Sequence, residues 1–424
     1  ERGLIGLYNH YNFTDLQEFL LHWTLTADGE EIDSGRLESL PIKAESYGIL
    51  ELDYPFPSML PGVDYHLNIS LLSLEKKGLL PANHIYAQEQ FQLFNSAPRP
   101  TIDARKTNEL LVTENNSQLR INSEKFSVVF DRKKGLLSQV EKQGRSLLLG
   151  PLEPNLWRAP TDNDFGNYMV DWAKVWKDSK ERRVFDSLMV INQSKTSVEV
   201  LAKYHFLDDK GTTVGFWQTD FKIYSGGDIR VENHFRKIPG LPELPRVGMN
   251  MQVIKSLEHV EWLGRGPFEN YQDRKLGAMV GHYQNKVEDH YVPYVRPQEN
   301  GYKTDTRWLS LREKDLGYGL YVEAEDYIGF SVHHNIQEDF IPPVKISITS
   351  EDGEDASNNR ERVNVHLNDI KPRDLVSVNI DYDQMGVGGD DSWGKKTLRK
   401  YSLPDLEYRY GFWLRFVESG EKLH

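Results

Sequence analysis

Phe126-Ser127-Val128-Val129-Phe130, then Asp131-Arg132-Lys133-Lys134-Gly135, then Leu136-Leu137-Ser138-Gln139-Val140 is the stretch that decides the fold class. Two apolar, β-branched and aromatic runs flank a polar segment ending in glycine, which is the signature of a β-hairpin. The same reading extends in both directions. Phe19-Leu20-Leu21-His22-Trp23-Thr24-Leu25-Thr26 turns at Asp28-Gly29, and Tyr65-His66-Leu67-Asn68-Ile69-Ser70-Leu71 alternates apolar with polar side chains. Later runs at 197–201, 228–232, 376–380 and 408–416 continue it. One helix is expected, from Met169 to Ser179, because Trp172 and Trp176 fall four apart on one face.

The turns divide the chain. Short strands over 1–96 predict an immunoglobulin-like β-sandwich. Asn95-Ser96-Ala97-Pro98-Arg99-Pro100 breaks the pattern, so 97–114 reads as a linker. From 115 to 424 about 300 residues of strands follow, too many for one open sheet, and predict one large double-sheet body. The chain is all-β.

Composition bounds the function. A net charge of −13 argues against nucleic acid and against anionic membranes as partners. With no cysteine among 424 residues, disulfides, thiolate metal sites and cysteine nucleophiles are excluded. Apolar runs long enough to span a membrane are not found. The chain opens at Glu1-Arg2-Gly3, which reads as a processed or excised start and leaves localisation unknown. The sequons at Asn12, Asn68, Asn115 and Asn192 are short enough to arise by chance. Glu351 to Asn359 is acidic and turn-rich, an exposed loop whose spacing does not match a calcium-binding EF-hand.

Four blocks are dense in Gly, Pro, Asn and charge: Trp157 to Gly166, Trp262 to Arg274, Pro297 to Trp308, and Met385 to Gly394. No nucleophile elbow, phosphate loop or His-Glu-x-x-His motif accompanies them. His333 and His334 are adjacent in a strand, so their rings point to opposite faces. The plain reading is that Asx turns and Arg–carboxylate pairs buttress long loops. The sharper reading is that the four loops gather at one end of the sandwich and line a cleft. The last block favours it, with four glycines in ten residues around the lone aromatic Trp393. A flat apolar ring in a polar loop suits the C–H face of a sugar.

Those blocks resemble the C-terminal part of the large β-galactosidases of glycoside hydrolase family 2. The resemblance rests on Arg-Ala-Pro-Thr-Asp-Asn-Asp-Phe-Gly at 158–166, Leu-Gly-Arg-Gly-Pro-Phe-Glu-Asn-Tyr-Gln-Asp-Arg at 263–274, Pro-Gln-Glu-Asn-Gly at 297–301 and Met-Gly-Val-Gly-Gly-Asp-Asp-Ser-Trp at 385–393. Leu-Leu-His-Trp at 20–23 and His-Ile-Tyr-Ala-Gln-Glu-Gln-Phe at 84–91 agree.

The resemblance implies an immunoglobulin-like domain followed by a galactose-mutarotase-like supersandwich. It implies further that Trp393 stacks on substrate, and that Gly166 and Asn167 belong to a mobile loop closing over it. Asp390, Asp391 and Ser392 would shape the Trp393 loop. In that family the general-acid and nucleophilic Glu residues sit on an upstream (β/α)₈ barrel. Nothing here reads as eight strand–helix repeats. The chain therefore carries no catalytic residue and no metal site of its own, and alone should be inactive. Its expected partners are a β-galactoside and the barrel, as an upstream domain or a large subunit; Mg and Na would enter through the missing domains. Homo-oligomerisation of the full-length form is compatible with the family. The alternatives are a stand-alone carbohydrate-binding or small-subunit protein, and a mutarotase-like epimerase. The epimerase needs a His and a Glu converging in the cleft, with His282, His290, His333 and His334 as its candidates.

Overall fold

A computed structural model describes residues 3–54, 56–93, 109–315, 317–341, 366–391 and 394–421. The chain divides into two compact units, Glu1–Asp103 with Met279–His282, and Ala104–Ala278 with Tyr283–His424.

The first unit is a sandwich of two antiparallel sheets. Strand β1 (Leu4–Tyr8) pairs with β4 (Tyr47–Glu51), while β2 (Phe19–Ala27), β3 (Glu30–Leu37), β5 (Tyr65–Ser73) and β6 (Ile85–Leu93) form a sheet in the order β3-β2-β5-β6. The turn between β2 and β3 has Asp28 and Gly29 both at positive φ, as a two-residue hairpin loop requires. Alternation in β2 and β5 buries Leu21, Trp23, Leu25, Leu67, Ile69 and Leu71 in one cluster.

The second unit is one curled sheet that closes on itself. The hairpin read from sequence is present as Phe126–Asp131 paired antiparallel with Leu136–Lys142. Its turn is chemically explicit: the Asp131 carboxylate accepts the amides of Lys133 and Lys134, and Gly135 takes φ +70°. Long antiparallel ladders follow, such as Ser197–Leu207 on Thr213–Tyr224 and Ile229–Lys237 on Glu407–Val417. They enclose a large core that includes Trp157, Trp176, Trp217 and Trp262. Each such ring contributes on the order of 2–3 kcal/mol on burial. Closure leaves this sheet without the exposed edges of an open one.

Two expectations are corrected. The helix expected over 169–179 is shorter and broken: a turn of α-helix at Met169–Trp172, then a 3₁₀ turn at Lys174–Trp176. Lys177 is already extended and Asp178 has φ +57°, so the chain turns away once Trp176 is buried. A further short helix, α1 (Asp162–Gly166), lies in the first loop block, and Met169–Trp172 is α2. The strand Leu111–Glu114 falls inside the segment read as linker; its four residues are too few to show alternation against the polar stretch around them. The acidic segment 351–359 lies outside the described residues.

Candidate functional site

All four loop blocks converge within the second unit. The first is organised by its own helix. Thr161 and Asp164 form a capping box, each side chain bonded to the other's backbone N–H, which starts α1. The Asp164 carboxylate also receives a two-pronged contact from Arg158, Nε to Oδ2 at 3.0 Å and Nη2 to Oδ1 at 2.8 Å. Both side chains are essentially inaccessible, at 0% and 1% exposure, so this is a buried ion pair with matched geometry.

Arg158 then reaches the fourth block. Its Nη1 donates to the Met385 carbonyl and its Nη2 to that of Gly386, while Asn163 Nδ2 donates to the carbonyl of Val387 at 3.0 Å. Three consecutive carbonyls are thus held from one side.

The amides of the same stretch are held by other elements. Met385 N–H donates to Pro245 O and Gly386 N–H to Tyr401 O. Val387 and Gly388 donate to Asp273 at 3.0 and 2.7 Å. Every N–H from 385 to 388 has a protein acceptor, which makes this part of the loop a rigid strap.

The second and third blocks are tied in the same manner. Asn270 Oδ1 accepts from the backbone N–H and the hydroxyl of Thr304, and Glu269 accepts from the Gly301 N–H, Arg274 and the Tyr294 hydroxyl. Asp305 takes Arg265 on one oxygen and Lys275 on the other. Gln298 exchanges two hydrogen bonds with Asp162 of the first block. Glu299 accepts from Arg246 at 2.9 Å and from Gln384, and Arg246 also lies 3.0 Å from Asp381. Burial raises the carboxyl of Asp383, beside Gln272 and Lys275, to about 7.

The first reading of the blocks is realised, and of the second the gathering of the loops. Arg158, Asp164, Asn270 and Glu299 are buried and buttress the loops. The loops nevertheless gather in one place. Gly394, at φ +84°, packs so closely on Gly166 and Asn167 that a Cβ there would overlap the Gly166 backbone. Lys396 Nζ sits 3.6 Å from the centre of the Trp172 ring, a second contact between the same two segments.

Gly166 ends α1, and Asn167 caps it, donating its N–H to Asn163 O and accepting from Trp172 Nε1 at 3.2 Å. Tyr168 follows in the left-handed region at φ 61°, a rare setting for an aromatic residue, and is 70% exposed. Asp391 Oδ1 accepts the Lys395 N–H, and Asp390 lies 3.8 Å from Lys395 Nζ. Ser392 and Trp393 lie outside the described residues.

Sequence reading missed Asp273, Arg158 and Asn163 as loop-holding residues. Each sits inside a recognised block, but which carboxylate or amide meets which backbone atom is a matter of tertiary position.

The histidines separate. His290 and His333 converge on Lys303 and are buried; His290 Nε2 donates to Asn285 Oδ1 and His333 Nε2 to Asn300 O. Burial lowers the basicity of both rings, and brings the Lys303 ammonium down to about 8. His334 turns instead to Leu375 O, and His282 lies in the first unit against Glu30. Among the described residues no group of three or more His, Asp or Glu side chains is arranged for a metal ion.

The second unit is thus a closed all-β body with a clamped cluster of loops at one place on it. The chain belongs to the β-galactosidase small chain family, whose model matches residues 122–414; a second model, for domain 4 of β-galactosidase, matches residues 5–94. A β-galactosidase of Priestia megaterium is 28% identical over 403 residues, covering 95% of this chain and 36% of its own length. One from Vibrio cholerae is 31% identical over 412 residues, covering 94% and 36%. The chain spans 36–38% of the length of these curated relatives. A galactose 1-epimerase from Lactobacillus acidophilus aligns at 8% identity with a TM-score of 0.37, over 74% of this chain and 100% of its own, a likeness too slight to carry an argument.

Proposed function

We propose that this chain supplies the non-catalytic wall of the sugar pocket of a retaining β-galactosidase, whose acid and nucleophile lie on a barrel outside this sequence. Membership of the family supports the activity. The observation that carries the role of the chain is the strap at 385–388, bonded on both backbone edges and resting through Gly394 on Gly166 and Asn167. A strap held in this way is an ordered base for the segment that carries Trp393, and an ordered base lowers the entropy cost of binding sugar. In the complete enzyme two carboxylates would flank the glycosidic bond, and Trp393 would contribute binding and orientation, not proton transfer. Gly166 and Asn167 would form the root of the closing segment, with the exposed Tyr168 beyond them. Mg and Na, if the enzyme uses them, would be held by the other domains.

The test is a reconstitution. This chain alone should not turn over a nitrophenyl β-galactoside, and the barrel-bearing remainder added to it should restore hydrolysis. Turnover by the isolated chain, or full activity of the remainder without it, would overturn the proposal.

A further inference from the structure

We infer that Asp273 is the positioning residue of the Trp393 loop, an inference that rests on the proposed function above. The loop has two limbs, one before Trp393 and one after it. Asp273 holds both. Its Oδ1 accepts the Val387 N–H at 3.0 Å and its Oδ2 the Gly388 N–H at 2.7 Å, and the same Oδ2 accepts the Thr397 hydroxyl at 3.0 Å. One carboxylate thereby joins residues 387–388 to residue 397 and ties the two limbs together.

The surroundings are cut to admit it. Gly386 lies so near that a Cβ there would overlap the Asp273 carboxyl group, and a Cβ at Gly388 would crowd the Lys395 carbonyl of the returning limb. Two of the loop's glycines are thus accounted for by close approach. Three donors on one carboxylate are charge-assisted, and an amide in its place would turn an N–H₂ toward a backbone N–H. Asp273 is brought to the loop by the Arg265–Asp305–Lys275 and Asn270–Thr304 contacts that tie its block to the third, not by its neighbours in the fourth block.

The experiment has two arms. In this chain, Asp273→Asn and Gly386→Ala should each speed hydrogen exchange at the Val387 and Gly388 amides at least tenfold, while the melting temperature stays close to that of the parent. Unchanged protection in both variants would overturn the inference whatever Trp393 does. In the complete enzyme, Asp273→Asn should raise KM for a galactoside about tenfold, with kcat changed much less. In a Trp393→Ala background the same substitution should cost nothing further; an additive loss would show that Asp273 does not act through Trp393. If Trp393→Ala alone leaves the kinetics unchanged, the platform reading fails, and the exchange arm still decides the role of Asp273.

Discussion

Arg158 and Asp164 form a fully buried, two-pronged ion pair only six residues apart, and the same guanidinium holds the Met385 and Gly386 carbonyls. One side chain thus fixes the fold of its own loop and the position of a loop more than two hundred residues away in sequence.

Removing one partner should be costly. Arg158→Ala leaves the Asp164 carboxylate buried without its cation, and Asp164→Ala does the converse and also destroys the capping box. Either should destabilise the second unit by about 3–5 kcal/mol in chemical denaturation. The pair replacement Arg158→Met/Asp164→Leu should cost less than the sum of the two single changes, since no charge is then stranded.

Trp393→Ala in the complete enzyme should lower kcat/KM for a galactoside roughly tenfold, about 1.4 kcal/mol, with folding unaffected. Trp393→Phe should recover much of the loss, because a flat apolar face remains. Equal kinetics for wild type and Trp393→Ala would remove the platform role.

Gly394 pairs a left-handed backbone with a contact that admits no Cβ. Gly394→Ala should cost about 1–2 kcal/mol from the backbone alone, and should displace the loop from Gly166 and Asn167. The measurable results are a lower melting temperature and a loss of galactosidase activity in the complete enzyme. Gly211→Ala is the comparison: it too has positive φ but meets no neighbouring atom, so it should show the backbone cost without the loss of activity.

Lys303 makes a prediction in pH. Its ammonium is brought down from 10.5 to about 8 by burial, with the Gly301 carbonyl and His290 Nδ1 as partners. Between these values the unfolded chain binds more protons than the folded one, so stability rises with pH across about 8 to 10.5. Below 8 the group is charged in both states and the burial cost is fully felt. Lys303→Met should abolish that rise, an amplitude on the order of 3 kcal/mol, as measured by denaturation at pH 7 and pH 10. Profiles of identical slope for wild type and the Lys303→Met variant would refute the assignment.

The all-β architecture was legible because alternation along strands such as Tyr65–Ser73 and Ile229–Lys237 is a local property, as is the Asp131–Gly135 turn. So were the four loop blocks, whose density of Gly, Pro, Asn and charge sets them apart from the alternating strands. The helix after Met169 was only partly legible: its two tryptophans have helical spacing, but burial of Trp176 and the positive φ of Asp178 end it early.

What sequence by itself determined, then, is the fold class of the chain and the positions of its long loop blocks, because periodicity and turn chemistry depend on neighbours. Which blocks touch was decided only by the tertiary structure. Asp273 reaches Val387 across 114 residues and Asn163 reaches the same residue across 224. Such hydrogen bonds are made where the closed sheet brings its loops together, and no spacing along the chain encodes that meeting. The Trp393 loop could be chosen from its composition; that it is strapped on both backbone edges could not.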